Sequence, residues 1–193
     1  MRIIGGKYKG RRIDPPSNFK ARPTTDFARE GLFNILNNRI DFETINVLDL
    51  FSGTGSISYE FASRGAASVH LVEKDLKHIS GIRRIIKDMD LRNIKPIHIE
   101  VKAFLKACSV KYDIVFADPP YELSWLKELP DLVTRAGIIK DDGFFVLEHP
   151  KGLSFNSHKL FFEHRNYGGV NFSFFKSEEH ELTPFPSLLR KEG

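Results

Sequence analysis

One cysteine, Cys108, in 193 residues excludes an internal disulfide and fits a reducing compartment. No apolar run approaches the roughly 18 residues of a membrane helix. The first residues, Met1-Arg2-Ile3-Ile4-Gly5-Gly6, lack the apolar core of a secretion signal. A cytoplasmic protein with no membrane partner is expected. The seven histidines are scattered without ligand spacing, so no metal site is expected either. No internal repeat and no interdomain linker is visible, which at this length leaves one domain or one domain with a small appendage. What is present is ordinary core material: 41% apolar residues and 28% charged, with 17 Phe.

The net charge is only +4, but it is unevenly placed. Residues 1–40 carry nine Lys/Arg against three Asp/Glu, whereas the remainder carries twenty against twenty-two. A basic first fifth on a near-neutral body suggests a polyanion contact, although charge by itself favours a solubilising surface. Within this stretch Lys7, Lys9, Arg11 and Arg12 interleave with Tyr8 and Gly10, consistent with two short strands around a Gly5-Gly6 break. Arg22-Pro23-Thr24-Thr25-Asp26 then leads into a helix, with Thr24 or Thr25 as its N-cap and Ala28, Leu32, Ile35 and Leu36 as its apolar stripe.

The body reads as alternating strands and helices. Ile45 to Leu50 is a buried strand that runs into Asp49-Leu50-Phe51-Ser52-Gly53-Thr54-Gly55. A helix from about Ser56 to Arg64 follows, then a strand from Ser68 to Val72 with Glu73 at its end. This order of strand, glycine loop, helix, strand and acid is the mononucleotide-binding half of a Rossmann-like fold. Glycines let the backbone approach a ligand, and Glu73, eighteen residues past Gly55, can accept both hydroxyls of a ribose. The third glycine of a dinucleotide pattern is Ser58, which counts against a nicotinamide cofactor. Asp49 would repel a phosphate and attract an amino group. S-adenosylmethionine has the ribose, the amino group and a sulfonium, and no phosphate.

Further along, a helix from Leu76 to Met89, a strand from Ile97 to Val101 and a helical turn from Ala103 to Cys108 are expected. Tyr112 to Ala117 is a strand that ends in Asp118-Pro119-Pro120-Tyr121. Proline has no N–H to donate, so the ladder stops there. That leaves a carboxylate, the Pro119 carbonyl and an aromatic ring at the carboxyl edge of a sheet, where open α/β folds bind ligands. Asp118 and the Pro119 carbonyl can each accept an N–H of a planar amine, and Tyr121 can stack on its ring; alternatively the tetrapeptide is only a turn signal. A helix over Leu123 to Arg135 broken at Pro130, a strand from Phe144 to Leu147 and a closing antiparallel pair, Phe161 to Arg165 and Val170 to Lys176, complete the pattern. The tail from Ser177 is polar and is assigned no structure.

Four segments together carry a family resemblance: residues 2–12, Arg22-Pro23-Thr24-Thr25-Asp26, residues 48–55 and Asp118-Pro119-Pro120-Tyr121. They resemble the RsmD family, bacterial methyltransferases of the exocyclic N2 of a guanine in small-subunit ribosomal RNA. The resemblance covers about residues 1–176. It implies a class I (Rossmann-like) α/β methyltransferase, a seven-stranded mostly parallel sheet preceded by a basic hairpin and helix. The implied organisation is an RNA-contacting extension over 1–40, a methyltransferase domain over 41–176 and a tail over 177–193; a monomer acting on small-subunit ribosomal RNA or an assembling small subunit is expected.

By the same resemblance, Asp49 and Phe51, Ser52, Gly53, Thr54 and Gly55 hold the methionine part of S-adenosylmethionine, and Glu73 its ribose. Asp118, Pro119 and Tyr121 hold the guanine amine, while Arg2, Lys7, Lys9, Arg11, Arg12 and Arg22 face RNA. Two positions depart from the family pattern. Ser52 stands where alanine is common, and Lys102-Ala103 stands where an Asp-Ala pair often meets the adenine, which leaves a backbone contact near Ala103. An adenine-N6 DNA methyltransferase uses the same tetrapeptide, but the short chain shows no obvious DNA-recognition domain, which disfavours that reading. A dehydrogenase is disfavoured by Ser58 and the tetrapeptide, and an inactive RNA-binding protein by the intact motif.

Overall fold

The computed structural model describes residues 1–14 and 25–177. Arg22 and residues 178–193 of the tail therefore lie outside the described part. Seven strands form one sheet in the order β3-β2-β1-β4-β5-β7-β6. In chain order they are β1 (Asn46–Leu50), β2 (Ser68–Glu73), β3 (Ile94–His98), β4 (Tyr112–Ala117), β5 (Ile139–His149), β6 (Phe161–Tyr167) and β7 (Val170–Lys176). The first five pair in parallel, whereas β7 is antiparallel to both β5 and β6. This is the expected Rossmann-like α/β sheet with an antiparallel last strand.

Helices α1 (Asp26–Asn37), α2 (Ser56–Ser63) and α3 (Leu76–Asp88) bury apolar residues against one face. Helices α4 (Val101–Ala107) and α5 (Leu129–Arg135) cover the other. The strand order reverses between β1 and β4, and such a switch point opens a crevice at the carboxyl ends of the strands. Among the described residues no helix is long and apolar enough to cross a membrane.

Several boundaries move for identifiable reasons. The strand expected over Ile97 to Val101 is instead Ile94–His98, because Glu100 caps α4 and draws Val101 into the helix. Pro96 is tolerated since β3 is an edge strand. Pro130 does not break a helix so much as begin one: a 3-10 turn at Leu126–Glu128 precedes it, and it lies in the first turn of α5. β5 is longer than the Phe144 to Leu147 core and carries an irregularity in its pairing with β4. Of the two N-terminal strands, only one bridge forms, Arg2 opposite Arg12, with turns between. Thr25 is the cap of α1, its hydroxyl accepting from the Ala28 N–H at 3.2 Å.

Candidate active site

β1 ends by turning sharply, and three residues of the turn have positive φ: Phe51 (61°), Gly53 (54°) and Gly55 (81°). A bulky residue adopts this conformation only where its surroundings hold it. Here the Phe51 ring lies 5.8 Å from that of Trp125, and the next residue is tied down. Ser52 donates its N–H to the Val72 carbonyl at 3.0 Å, and its hydroxyl lies 2.9 Å from the Asp49 carbonyl and 3.1 Å from that of Val72. The serine that departs from the family's alanine thus staples the ends of β1 and β2. Gly55 starts α2, and a Cβ there would come within 2.8 Å of the Tyr59 ring, so the close approach itself requires glycine.

Two acids organise this loop. Glu73, at the end of β2, accepts the Gly53 N–H at 2.9 Å through one oxygen and the Asp75 N–H at 2.8 Å through the other. Asp49 is fully buried on the α2 side and accepts the Ser58 hydroxyl at 2.6 Å. Burial pushes the Asp49 carboxyl up to about 7, with like charge from Asp118 and Glu73 adding to the rise and the Ser58 bond opposing it. Ser58 therefore has a use that its place in a dinucleotide pattern does not suggest: it orients Asp49. The Tyr59 hydroxyl beside the loop is buried with no hydrogen-bond partner, and burial pushes its pKa up.

β4 pairs directly with β1, placing Leu50 opposite Ala117, so Asp118 follows at the same edge as the glycine loop. Pro119 is buried and Asp118 half-buried, while Tyr121 is 44% exposed at the mouth. The turn after the tetrapeptide closes on Pro120, whose carbonyl accepts the Leu123 N–H at 2.9 Å. Asp49, the loop 51–55, Glu73 and the tetrapeptide are thus brought to one sheet edge.

The third wall comes from α4. Ala103 is exposed, and its N–H is already donated to the Glu100 carboxylate at 3.1 Å, so an adenine contact there would have to replace that bond. Glu100, the cap of α4 just past β3, is a carboxylate two positions before Lys102. Lys102 turns towards the other side of the crevice, its ammonium 4.4 Å from the centre of the Trp125 ring. Trp125 thus bridges Phe51 and Lys102, a contact no local spacing announces.

The basic hairpin packs along α2 and not on the crevice. Its N–H groups are received by that helix: Ile4 by Glu60 (2.6 Å), Lys7 by the Ser63 carbonyl (2.6 Å) and Tyr8 by the Ser63 hydroxyl (3.0 Å). Glu60 in turn pairs with Arg64 and, at 3.5 Å, with Arg29. Arg29 is 1% exposed and also donates to Asp26 (2.6 Å) and the Arg2 carbonyl (2.7 Å).

Arg2, Lys7, Lys9, Arg11 and Arg12 are all exposed. The hairpin base touches the glycine loop, with Met1 Sδ 3.8 Å from the Thr54 hydroxyl, but its tip lies by Ser63 and by Asp88, whose carbonyl accepts from Arg11 at 3.4 Å. α2 spans about 12 Å at 1.5 Å per residue. Lys7, Lys9 and Arg11 are therefore set at the end of α2 and α3 remote from Asp118.

This assembly matches known proteins over nearly its whole length. The family described as conserved hypothetical protein 95 matches residues 1–176. A ribosomal RNA small subunit methyltransferase D of Buchnera aphidicola is 32% identical over 154 residues, 80% of this chain and 78% of that protein. A hypothetical protein of Thermus thermophilus superposes with a TM-score of 0.78 at 30% identity, over 91% of this chain and 99% of its own. A tRNA (guanine(10)-N2)-dimethyltransferase of Methanocaldococcus jannaschii is 33% identical over 116 residues, 55% of this chain and 33% of that protein. With the hairpin, the glycine loop and the Asp-Pro-Pro-Tyr edge all inside the matched span, the chain belongs to the RsmD family of methyltransferases.

Proposed function

We propose that the protein transfers a methyl group from S-adenosylmethionine to the exocyclic N2 of a guanine in small-subunit ribosomal RNA. The observation that carries this reading is the pairing of β1 with β4, which sets the glycine loop and the Asp118 tetrapeptide at one edge. The names of the relatives support the substrate: ribosomal RNA for one, a guanine N2 for another.

The residues suit the cofactor. The left-handed turn at Gly53 and Gly55 carries no side chain to block close approach, Asp49 offers a buried carboxylate to an amino group, and Glu73 offers lone pairs to ribose hydroxyls. When bound, the cofactor supplies a sulfonium-activated methyl as the electrophile. The protein's part is placement and electrostatics.

A guanine N2 is a weak nucleophile because its lone pair is delocalised into the ring. Asp118 and the Pro119 carbonyl accept its two N–H groups and turn the lone pair out of conjugation. Asp118 then stabilises the positive charge that develops on nitrogen, and the proton leaves once the nitrogen is alkylated. A stacked guanine cannot present its amine in this way, so the base is unpaired or turned out, with Tyr121 stacking on it. The exposed hairpin cations hold RNA phosphates along α2, at a distance that suits a long, folded RNA better than a short one. The test is incubation with labelled cofactor and small subunits lacking the modification, followed by nucleoside analysis. N2-methylguanosine at one position is expected; N6-methyladenosine, or no labelled RNA, overturns the reading.

A further inference from the structure

Among the described residues the most exposed large apolar side chain is Phe27, 64% open in the first turn of α1. The two residues that follow it, Ala28 and Arg29, are buried, so the helix is firmly seated beneath an open ring. A backing is built for that ring. Tyr167, the last residue of β6, meets Phe27 edge-on, with centroids 5.9 Å apart and planes at 78°. The Tyr167 hydroxyl donates to the Gly31 carbonyl at 3.2 Å, and its ring lies 6.2 Å from that of Phe172. A Cβ at Gly31 would come within 2.3 Å of the Tyr167 ring, so a glycine one turn past Phe27 is what lets the tyrosine in.

Strand register puts this pair at the same sheet edge as the tetrapeptide. Ala117 pairs with Leu147, His149 two residues on pairs with Asn171, and Tyr167 lies opposite Val170 at the β6–β7 turn. β6 is three strands from β4, about 14 Å at the usual spacing. From the other side the hairpin base reaches the pair: Arg2 lies 3.8 Å from Asp26, and Met1 beside it touches Thr54 of the glycine loop. Asp26 is neutralised by Arg2 and the buried Arg29, and Phe27 sits within a first fifth that carries nine Lys/Arg against three Asp/Glu. Such a setting draws a polyanion, and what a lone aromatic ring offers a nucleic acid is a stacking face. A protein partner or a lipid surface would ask for an apolar patch, whereas Phe27 is flanked by exposed Asp26 and Glu30.

We propose that Phe27, backed by Tyr167, stacks on an unpaired base of the ribosomal RNA near the target guanine but not on the guanine itself. This rests on the RNA reading of the Asp118 site and adds a grip on the substrate between the hairpin and the tetrapeptide. Every base has a face to offer, so the platform holds the strand without reading its sequence.

The test uses small subunits lacking the modification, with labelled cofactor, and compares Phe27→Ala, Phe27→Leu and Phe27→Trp with the wild type. Phe27→Ala is expected to raise KM for the subunits by about 5- to 150-fold, the scale of one stacked base. Its kcat, cofactor affinity and stability to denaturant should stay as in the wild type. Phe27→Trp should keep a KM near wild type and Phe27→Leu should resemble Phe27→Ala, which separates a flat ring from mere bulk. In free Phe27→Trp the added indole should be open to acrylamide, read above the background of Trp125, the one tryptophan of the chain. An unchanged KM in Phe27→Ala overturns the proposal. So does an indole already shielded in the free protein together with lost stability in Phe27→Ala, because another part of the chain or a second copy then covers the ring. If the wild type yields N2-methylguanosine while either result holds, the platform fails and the reading of the site stands; if the wild type labels no RNA, both fall.

Discussion

The carboxyl edge and the basic hairpin are held in opposite ways. The edge is an outcome of strand register: β1, β2 and β4 pair side by side, and the residues following each strand meet because the ladders end together. The hairpin has one bridge of its own and borrows its shape from α2, through Glu60, Ser63 and the buried Arg29. A site made by backbone register tolerates the loss of a side chain structurally and reports it in function. A segment hung on a buried ion cluster reports such a loss in stability first. Substitutions in the two regions should therefore separate cleanly.

The largest effect is expected on the hairpin side. Glu60→Ala leaves the 1%-exposed Arg29 without its buried partner and the Ile4 N–H without its acceptor. Removing one partner of a buried pair costs about 3–5 kcal/mol, to be read by chemical denaturation. If stability is unchanged, the cluster does not anchor the hairpin. On the edge, Asp118→Ala should lower turnover by about 10²–10³ with cofactor affinity and stability near wild type. Asp118→Asn, which keeps an acceptor oxygen, should retain more activity than Ala. Full turnover in Asp118→Ala would remove the tetrapeptide from the chemistry.

Glu73→Ala loses the ribose bonds and also the carboxylate that fixes the Gly53 and Asp75 N–H groups. Weaker cofactor binding by about 1.5–3 kcal/mol is expected in calorimetry. Unchanged affinity would place the ribose elsewhere.

Asp49 gives the edge a pH signature. Its carboxyl, pushed up to about 7 by burial, binds a proton more tightly folded than unfolded. Its contribution to stability is therefore greatest below the ordinary carboxylate range and falls as pH rises towards 7. Binding an amino group favours the ionised form, so cofactor affinity should rise with pH through about 7, by at most about tenfold per unit. Below 7, binding should expel a proton, which makes the measured enthalpy depend on the buffer. Asp49→Asn should abolish both dependences.

The smallest effect sharpens the comparison within the hairpin itself. Lys7→Ala and Lys9→Ala at the tip, against Arg2→Ala and Arg12→Ala at the base, should each flatten the salt dependence of RNA binding, by about 0.7–0.9 for every phosphate no longer neutralised. Turnover on bound RNA should hold. Equal salt slopes for wild type and all four variants would make these cations a solvated surface.

The recurring order of strand, glycine loop, helix, strand and acid was legible because each step is local. Alternation, caps and glycine positions are written within a few residues of where they act, and β4 and α1 begin within a residue of where their patterns say. Boundaries failed where a competing local signal won, as when the Glu100 cap overrode the strand tendency of Ile97 to Val101. The partners of Asp49, Arg29 and Phe51 were invisible for a different reason. Ser58 is nine residues from Asp49, Glu60 is thirty-one from Arg29, and Trp125 lies in another crossover from Phe51.

Short-range backbone chemistry, written in the chain, was enough for the α/β alternation, the glycine loop, the acid after β2 and the tetrapeptide after β4. Folding in three dimensions had to decide that the hairpin lies along α2 with its tip away from Asp118. It also decided that Ser58 meets Asp49 and that Trp125 lies against both Phe51 and Lys102. Those relations depend on strand register and helix packing. A shift of one residue in register would turn Asp49 to the opposite face, and no local pattern in the chain records which register the folded sheet adopts.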